Sequence, residues 1–343
     1  MTLFFTSPLG LGHAARDIAI ADKLRPISNE ILFATGAGAY TLISKKGYSV
    51  LDLYKPVNFD TELGKLQHHL RWMIRYLLYY RKCKRIAENL LAKNSDLIIS
   101  DEDFASLAIA EKLNRKRILI TDVIETHFTR RFGSIIEKRT NKIMRRIIDK
   151  CTRVIIPCYG DNKDNFVYVG PIVREVHADR ITLRKRFGFN KKTIILSTGG
   201  TDAGKYLIDK SIEAYRKLRK KMDIDLVIVP GPILELANAP DFRNIGFVDN
   251  LHEYIYASDL VISLAGRSTM DESIAYGVPG IFIPIKNHFE QEECAKRLGY
   301  NYRDISRIDT LIEEKLSSEG NTIENNNNNN GAEKAAKLIL NLL

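Results

Sequence analysis

The stretch Ser7–Asp17 reads SPLGLGHAARD. Gly10 and Gly12 let the backbone approach a ligand closely, and His13 puts a titratable ring where a helical pattern begins. A helix N-terminus disfavours positive charge, so the imidazole is expected to be neutral and able to take a proton from a hydroxyl. The plainer alternative is that His13 caps or packs the turn. Arg16 lies one helical turn further on. A triple acid, Asp101-Glu102-Asp103, ends an apolar run. It resembles a metal pair, yet no histidine or further acid is adjacent, and helix capping explains it more cheaply. Glu102 or Asp103 could still serve as an auxiliary acid.

Three later stretches offer binding chemistry. STGGTDAG (Ser197–Gly204) lies between a strand pattern and a helix pattern. There Gly199, Gly200 and Thr201 could present backbone N–H groups and a hydroxyl to a phosphate, or simply make a tight turn. It is neither a Walker A loop nor a full GxGxxG fingerprint. LAGRSTMDESIA (Leu264–Ala275) repeats the arrangement. Gly266, Arg267, Ser268 and Thr269 suit phosphates and Glu272 a ribose diol, although Ser268 and Thr269 could equally cap the helix, with acids stabilised in its first turn. HFEQE (His288–Glu292) sets Glu290 beside Gln291. That pair suits a polyhydroxylated ligand, or is only a polar helix start. His68 and His69 lie in a basic helical stretch and are expected to be exposed residues, not ligands, and His127, His177 and His252 carry no motif.

These loops need a scaffold of alternating strands and helices. TLFFT (Thr2–Thr6), Glu30–Thr35, Ser49–Leu53, Asp96–Ser100, Arg117–Thr121 and Arg153–Pro157 are short apolar runs, with a helix expected over Ala14–Leu24. Thr193–Thr198, Asp225–Pro230, Leu260–Leu264 and Gly280–Ile285 restart the theme. Runs apolar on both faces and separated by helices indicate parallel sheets with crossovers. Two such sets predict two Rossmann-like domains: residues 1–170, residues 171–324, and an Asn-rich loop with a closing helix over 325–343. The expected seam is Tyr168–Arg180, and Asn325–Asn330 reads as a solvated loop. Leu63–Lys93 is expected to be one long helix, mixing Leu66, Leu70, Met73, Ile74, Leu77 and Leu78 with many arginines, lysines and aromatics.

The chain has 343 residues, is 45% hydrophobic and carries a net charge of +10, which favours an anionic partner. Four scattered cysteines without a CxxC pair fit reduced thiols and no zinc site. No signal peptide is read at the N-terminus, and no apolar run approaches the ~20 residues of a spanning helix. The expected location is therefore cytoplasmic.

The order of these motifs, together with NIGFVDNLHEYIYASDLVIS and YGVPGIFIP, resembles GT-B glycosyltransferases of the MurG-like, family 28 group. It is also similar to archaeal glycosyltransferases with a GLGHAxR turn. The resemblance implies two Rossmann-like domains facing each other across a cleft. It implies a UDP-sugar donor, with UDP-GlcNAc expected, and inverting transfer to an acceptor hydroxyl without a metal or other cofactor. Gly199, Gly200 and Thr201 would meet the diphosphate, and Phe247 and Val248 the uracil. Gly266, Arg267, Ser268 and Thr269 would flank the phosphates. Glu272 would hold the ribose, and Glu290 with Gln291 the sugar. The loop of Gly10, Gly12 and Arg16 would face the acceptor, with His13 as base and Glu102 as its auxiliary. A lipid-linked acceptor would explain the basic helix as a peripheral contact with an anionic membrane face. The rival readings are a UDP-sugar epimerase or hydrolase on the same fold, and a nucleic-acid-binding protein using that helix. Against the latter, no nucleic-acid motif is present.

Overall fold

The computed structural model describes residues 2–27, 30–92, 97–128, 133–200, 202–232, 234–237, 239–317 and 330–343. The chain forms two compact units. The first comprises Met1–Phe59, His68–Val173 and Asn329–Leu343, and the second Asp60–Gln67 and Arg174–Asn328.

The first unit contains β1 (Thr2–Thr6), β2 (Ile31–Thr35) and β3 (Ser49–Asp52). A hairpin of β4 (Thr61–Glu62) and β5 (Lys65–Leu66) then departs to the second unit. The first unit resumes with β6 (Leu97–Asp101), β7 (Lys116–Ile120), β8 (Arg153–Ile156) and β9 (Phe166–Tyr168). Its strands pair in parallel in the order β3-β2-β1-β6-β7-β8-β9. β1 and β6 are buried along their whole length, as continuous apolar runs require when helices cover both faces. The helix Gly12–Leu24 buries Ala14, Ile18, Ala21 and Leu24.

The second unit contains β10 (Lys192–Ser197), β11 (Ile224–Val229), β12 (Arg243–Asn244), β13 (Leu260–Leu264) and β14 (Gly280–Ile283). These run parallel in the order β12-β11-β10-β13-β14.

The strand runs read from sequence fall within one or two residues of the observed strands. The boundaries of the units do not follow the expected linear division. The chain passes between units at Val173–Arg174, and the closing helix, expected as a separate tail, belongs to the first unit. Its apolar face of Ala332, Ala335, Ala336 and Ile339 is buried, and it packs on the helix Gly12–Leu24. Gly331 N–H donates to Pro171 O at 2.9 Å, and a Cβ on Gly331 would lie 2.4 Å from Gly170 O, so only glycine allows this approach. Residues 325–329 of the expected Asn-rich loop lie outside the described residues. Asn330 caps the closing helix by accepting from Ala332 N–H at 2.9 Å. The long helix is shorter than expected, His69–Leu91, because residues 61–66 form the hairpin instead.

Candidate active site

In the first sheet the chain builds β1, β2 and β3 outward in one direction and returns to place β6 on the other side of β1. Such a reversal leaves adjacent strand ends whose following loops diverge, and ligand sites of open α/β sheets form there. Thr6 stands in register with Asp101 across it. The loop after β1 turns through Gly10 at φ +89°, and the helix begins at Gly12. One residue later His13 donates from Nδ1 to Asp101 Oδ1 at 2.8 Å, and its Nε2 lies 3.8 Å from Glu102 Oε2. Arg16, one turn on, grips the same Asp101 twice, Nε to Oδ2 at 2.7 Å and Nη2 to Oδ1 at 2.6 Å. Its Nη1 lies 3.5 Å from Asp122 Oδ1.

The electrostatics follow from this packing. Burial opposes charge on Asp101, but Arg16 and then His13 outweigh it and hold the carboxyl at about 2. Burial likewise opposes charge on His13. The carboxylates of Asp101 and Glu102, with the Asp101 hydrogen bond, overcome it and push the imidazole up to about 9. The expectation of a neutral His13 is therefore corrected. A helix end supplies about half a charge, whereas the two carboxylates supply whole charges within 4 Å. Asp17 is fully buried behind Asp101 and accepts from Thr6 Oγ1 at 2.5 Å. Burial and then the Asp101 charge push its carboxyl well above the usual carboxylate range.

The three consecutive acids have three different environments. Asp101 is the buried partner of His13 and Arg16. Glu102 sits at φ +55°, a left-handed backbone that side-chain-bearing residues rarely adopt, and accepts from Thr121 Oγ1 at 3.0 Å. Such strain is a recurrent mark of functional positions. Asp103 caps the helix Phe104–Lys112, accepting from Ala105 N–H at 2.9 Å and Ser106 N–H at 3.3 Å. Among the described residues, ligand atoms of His13, Asp101 and Glu102 lie within 4.8 Å of one another, a spacing compatible with a metal. The Arg16 guanidinium, bidentate on Asp101, already supplies the cation there.

The second sheet has its own reversal between β10 and β13, with Ser197 in register with Ser263. It brings the ends of the Ser197–Gly204 and Leu264–Ala275 motifs to neighbouring strand termini. Gly199 adopts φ +75°, and a Cβ there would meet nothing within 4 Å, so its backbone conformation is what requires glycine. Gly231, unnoticed in the sequence, approaches so closely that its Cβ would fall 1.9 Å from Gly199 O. Gly200 is half-buried, and Thr201 lies outside the described residues. Gly266 is the N-cap of the helix Arg267–Ala275, and Ser268 and Thr269 stand inside its first turn without capping it. Arg267 Nε donates to both Asp271 oxygens at 2.9 and 2.8 Å.

Glu272 is 2% exposed and paired with Arg174, Nε to Oε1 at 2.7 Å and Nη2 to Oε2 at 3.1 Å. Arg174 Nη1 also donates to Asp249 O at 3.1 Å, in the loop that holds half-buried Phe247 and Val248. Tyr276 Oη donates to Arg174 O at 2.7 Å. Arg174 thus fixes the carboxylate and the Phe247–Asp249 backbone together. Only its separation of 98 residues from Glu272 hid it from sequence reading. Glu290 and Gln291 are half-buried in the first turn of the helix Phe289–Arg297, where Gln291 Oε1 accepts from Ile285 N–H at 3.0 Å.

Each parallel sheet carries a polar cluster, His13–Asp101–Arg16 in the first and Arg174–Glu272 in the second. Residues 194–341 match the Glycosyltransferase family 28 C-terminal domain. An uncharacterized glycosyltransferase of Methanosarcina acetivorans is 26% identical over 330 residues, covering 85% of this chain and 82% of that protein. The UDP-N-acetylglucosamine–N-acetylmuramyl-(pentapeptide) pyrophosphoryl-undecaprenol N-acetylglucosamine transferase of Mycolicibacterium smegmatis is 24% identical, covering 80% and 72%. The crystal structure of the glycotransferase of kitacinnamycin superposes with a TM-score of 0.69 at 14% identity, covering 100% and 98%. The chain is a glycosyltransferase of the GT-B fold, and its second unit resembles family 28.

Proposed function

We propose that the protein transfers N-acetylglucosamine from UDP-GlcNAc to an acceptor hydroxyl with inversion and without a resident metal. The observation that carries the reading is the His13–Asp101–Arg16 cluster at one sheet reversal, with the Gly199, Gly266 and Glu272 loops at the other. In this reading the acceptor oxygen attacks the anomeric carbon while the bond to the diphosphate oxygen breaks. The acceptor proton passes to His13 Nε2, oriented because Nδ1 is tied to Asp101. Glu102 lies beside that nitrogen and supports the charge the ring then carries. The electron pair leaves with UDP. Backbone N–H groups at the Gly199 and Gly266 turns, with Arg267, Ser268 and Thr269, offset that developing charge, so no metal is invoked. Thr201 would add its hydroxyl. Phe247 and Val248 present backbone to the uracil, Glu272 accepts from the ribose, and Glu290 and Gln291 bind the sugar.

The donor assignment draws support from the Mycolicibacterium relative, whose name specifies a UDP-N-acetylglucosamine donor and a pyrophosphoryl-undecaprenol acceptor. A lipid-linked acceptor at an anionic membrane suits the surface of the first unit. On the helix His69–Leu91, Leu70, Ile74 and Leu78 are exposed at four-residue spacing beside exposed Arg71, Arg75, Arg81 and Lys82. On the helix Gly133–Asp149, Ile135, Ile136 and Ile143 are exposed among Lys138, Arg139 and Lys142. Both helices pack against the helix Phe104–Lys112. Apolar side chains fringed by basic ones suit the headgroup layer of anionic lipid. Among the described residues no helix is long and apolar enough to cross a membrane.

The test is ligand-induced thermal stabilisation with UDP, UDP-GlcNAc, UDP-glucose and ADP, because a ligand that binds only the folded state raises the melting temperature by mass action. UDP-GlcNAc is expected to stabilise most. Glu272→Gln is expected to weaken uridine nucleotides roughly ten- to hundredfold, as loss of a charged hydrogen bond does. Indifference to every uridine nucleotide overturns the donor. Rapid consumption of UDP-GlcNAc without an acceptor makes the protein an epimerase or hydrolase instead.

A further inference from the structure

The β4–β5 hairpin leaves the first unit after Phe59 and rejoins it at His68, and it bonds to Lys286 and Tyr302 of the second unit. Leu66 N–H donates to Lys286 O and Lys286 N–H donates to Gly64 O, both at 2.9 Å, so the hairpin extends onto the segment after β14 as a short parallel bridge. Tyr302 Oη donates to Leu63 O at 2.7 Å. Leu66 is 2% exposed. Gly64 stands at φ +70°, where a Cβ would lie 2.9 Å from the Tyr206 ring and 3.3 Å from that of Tyr302. A two-stranded hairpin of this size has no stability of its own, so these contacts hold it in place.

The docking partner is informative. Lys286 belongs to the short segment that joins β14 to the helix carrying Glu290 and Gln291. Asn287 is held at φ +68°, and Asn287 N–H donates to Glu292 Oε1 at 3.0 Å. Ile285 N–H donates to Gln291 Oε1 at 3.0 Å, which ties the Gln291 side chain to the backbone one residue before Lys286. The hairpin thus supplies both backbone partners of Lys286, at the centre of the segment that orients Gln291.

We propose that the hairpin Asp60–Gln67 is a positioning element for the sugar end of the donor site: docked on Lys286, it fixes the Ile285–Gln291 segment in the geometry that grips the hexosamine. The inference rests on the reading of Glu290 and Gln291 as sugar contacts. The hydrogen bonds described for the hairpin go to Lys286 and Tyr302, and not to the residues assigned to uracil, ribose or diphosphate. It therefore governs the part of the affinity that the sugar adds over UDP alone.

The experiment compares the full chain with Gly64→Ala, which forces a side chain into a left-handed turn against Tyr206, and with Leu66→Ser, which removes the buried anchor. Hydrogen exchange of the Lys286 amide reports whether the hairpin has undocked. In the variant that exposes Lys286, the Ile285 and Asn287 amides are expected to exchange at least roughly tenfold faster without any ligand. The ratio of UDP-GlcNAc to UDP affinity, by calorimetry, is expected to fall roughly tenfold while UDP affinity stays within about twofold. Gln291→Ala serves as the reference for the sugar contact. If it abolishes the preference for UDP-GlcNAc over UDP while the undocked variants retain it, the hairpin proposal is overturned and the sugar reading stands. Unchanged exchange at Ile285 and Asn287 in an undocked variant overturns it equally. If Gln291→Ala leaves the preference intact, the sugar reading itself fails and the proposal falls with it.

Discussion

His13 joins two demands that pull in opposite directions along the pH scale. As the proposed base it must be neutral. As the partner of Asp101 and Glu102 it is stabilised in the charged form, up to about 9. At pH 7 only roughly one part in a hundred of the free protein then carries a neutral ring. The expected kcat/KM for transfer therefore rises about tenfold per pH unit from neutrality towards pH 9, the limb belonging to the free enzyme. Glu102→Gln removes a neighbouring negative charge, so that limb should move to lower pH, and His13→Ala should abolish it. Stability runs the other way. The folded-state value lies above the unfolded 6.5, so this contribution is complete below pH 6.5 and is lost as pH rises through about 9. Unfolding titrations across pH 6 to 10 should show stability declining where activity climbs, and a flatter curve for His13→Ala. A transfer rate that is flat over this range, or a limb that survives in His13→Ala, removes the base assignment.

At the scale of elements, the helix His69–Leu91 divides its apolar residues between two tasks. Trp72, Met73, Cys83, Ala87 and Leu91 face the domain, and Trp72 stacks on Phe59 with ring centroids 4.6 Å apart. Leu70, Ile74 and Leu78 face outward, Leu78 with 60% exposure. Under the proposed function, this outward stripe among arginines is the surface that would meet anionic lipid. Flotation with vesicles should show binding to anionic but not neutral lipid, with release by salt. Ile74→Asp with Leu78→Asp, which leaves the buried face intact, should reduce binding at least about tenfold and leave UDP affinity unchanged. Equal recovery with neutral and anionic vesicles would remove the membrane contact from the proposed function.

Across the whole molecule, the chain twice abandons linear order. The hairpin from the first half docks in the second unit, and the last helix returns to the first. That helix buries Ile339 completely and is capped by Asn330, contributions of about 2 and about 1 kcal/mol. A chain ending at residue 329 should consequently lose several kcal/mol from the first unit while the second keeps its stability. Domain-resolved hydrogen exchange would check this: exchange should accelerate in Gly12–Leu24 and not in β10 or β13. Uniform acceleration in both units would mean the helix stabilises the chain in some other way.

Much of this architecture was legible in the linear chain, because continuous apolar runs and glycine turns are local signals. The runs at Thr2–Thr6 and Leu260–Leu264 became strands at those same residues, and Gly199 and Gly10 adopt the left-handed conformations their positions called for. The GT-B fold and the resemblance to family 28 were legible through the order of the motifs. What the sequence could not reveal are pairings set by strand order. Asp101 meets His13 across 88 residues only because β6 lies beside β1, and Arg174 meets Glu272 across 98. The charge on His13 follows from those neighbours and reverses the expectation drawn from its helix start alone. Local sequence determines conformation through backbone sterics and apolar periodicity. Electrostatics and burial depend on which distant groups the fold places within a few ångströms, and only the tertiary structure decided that.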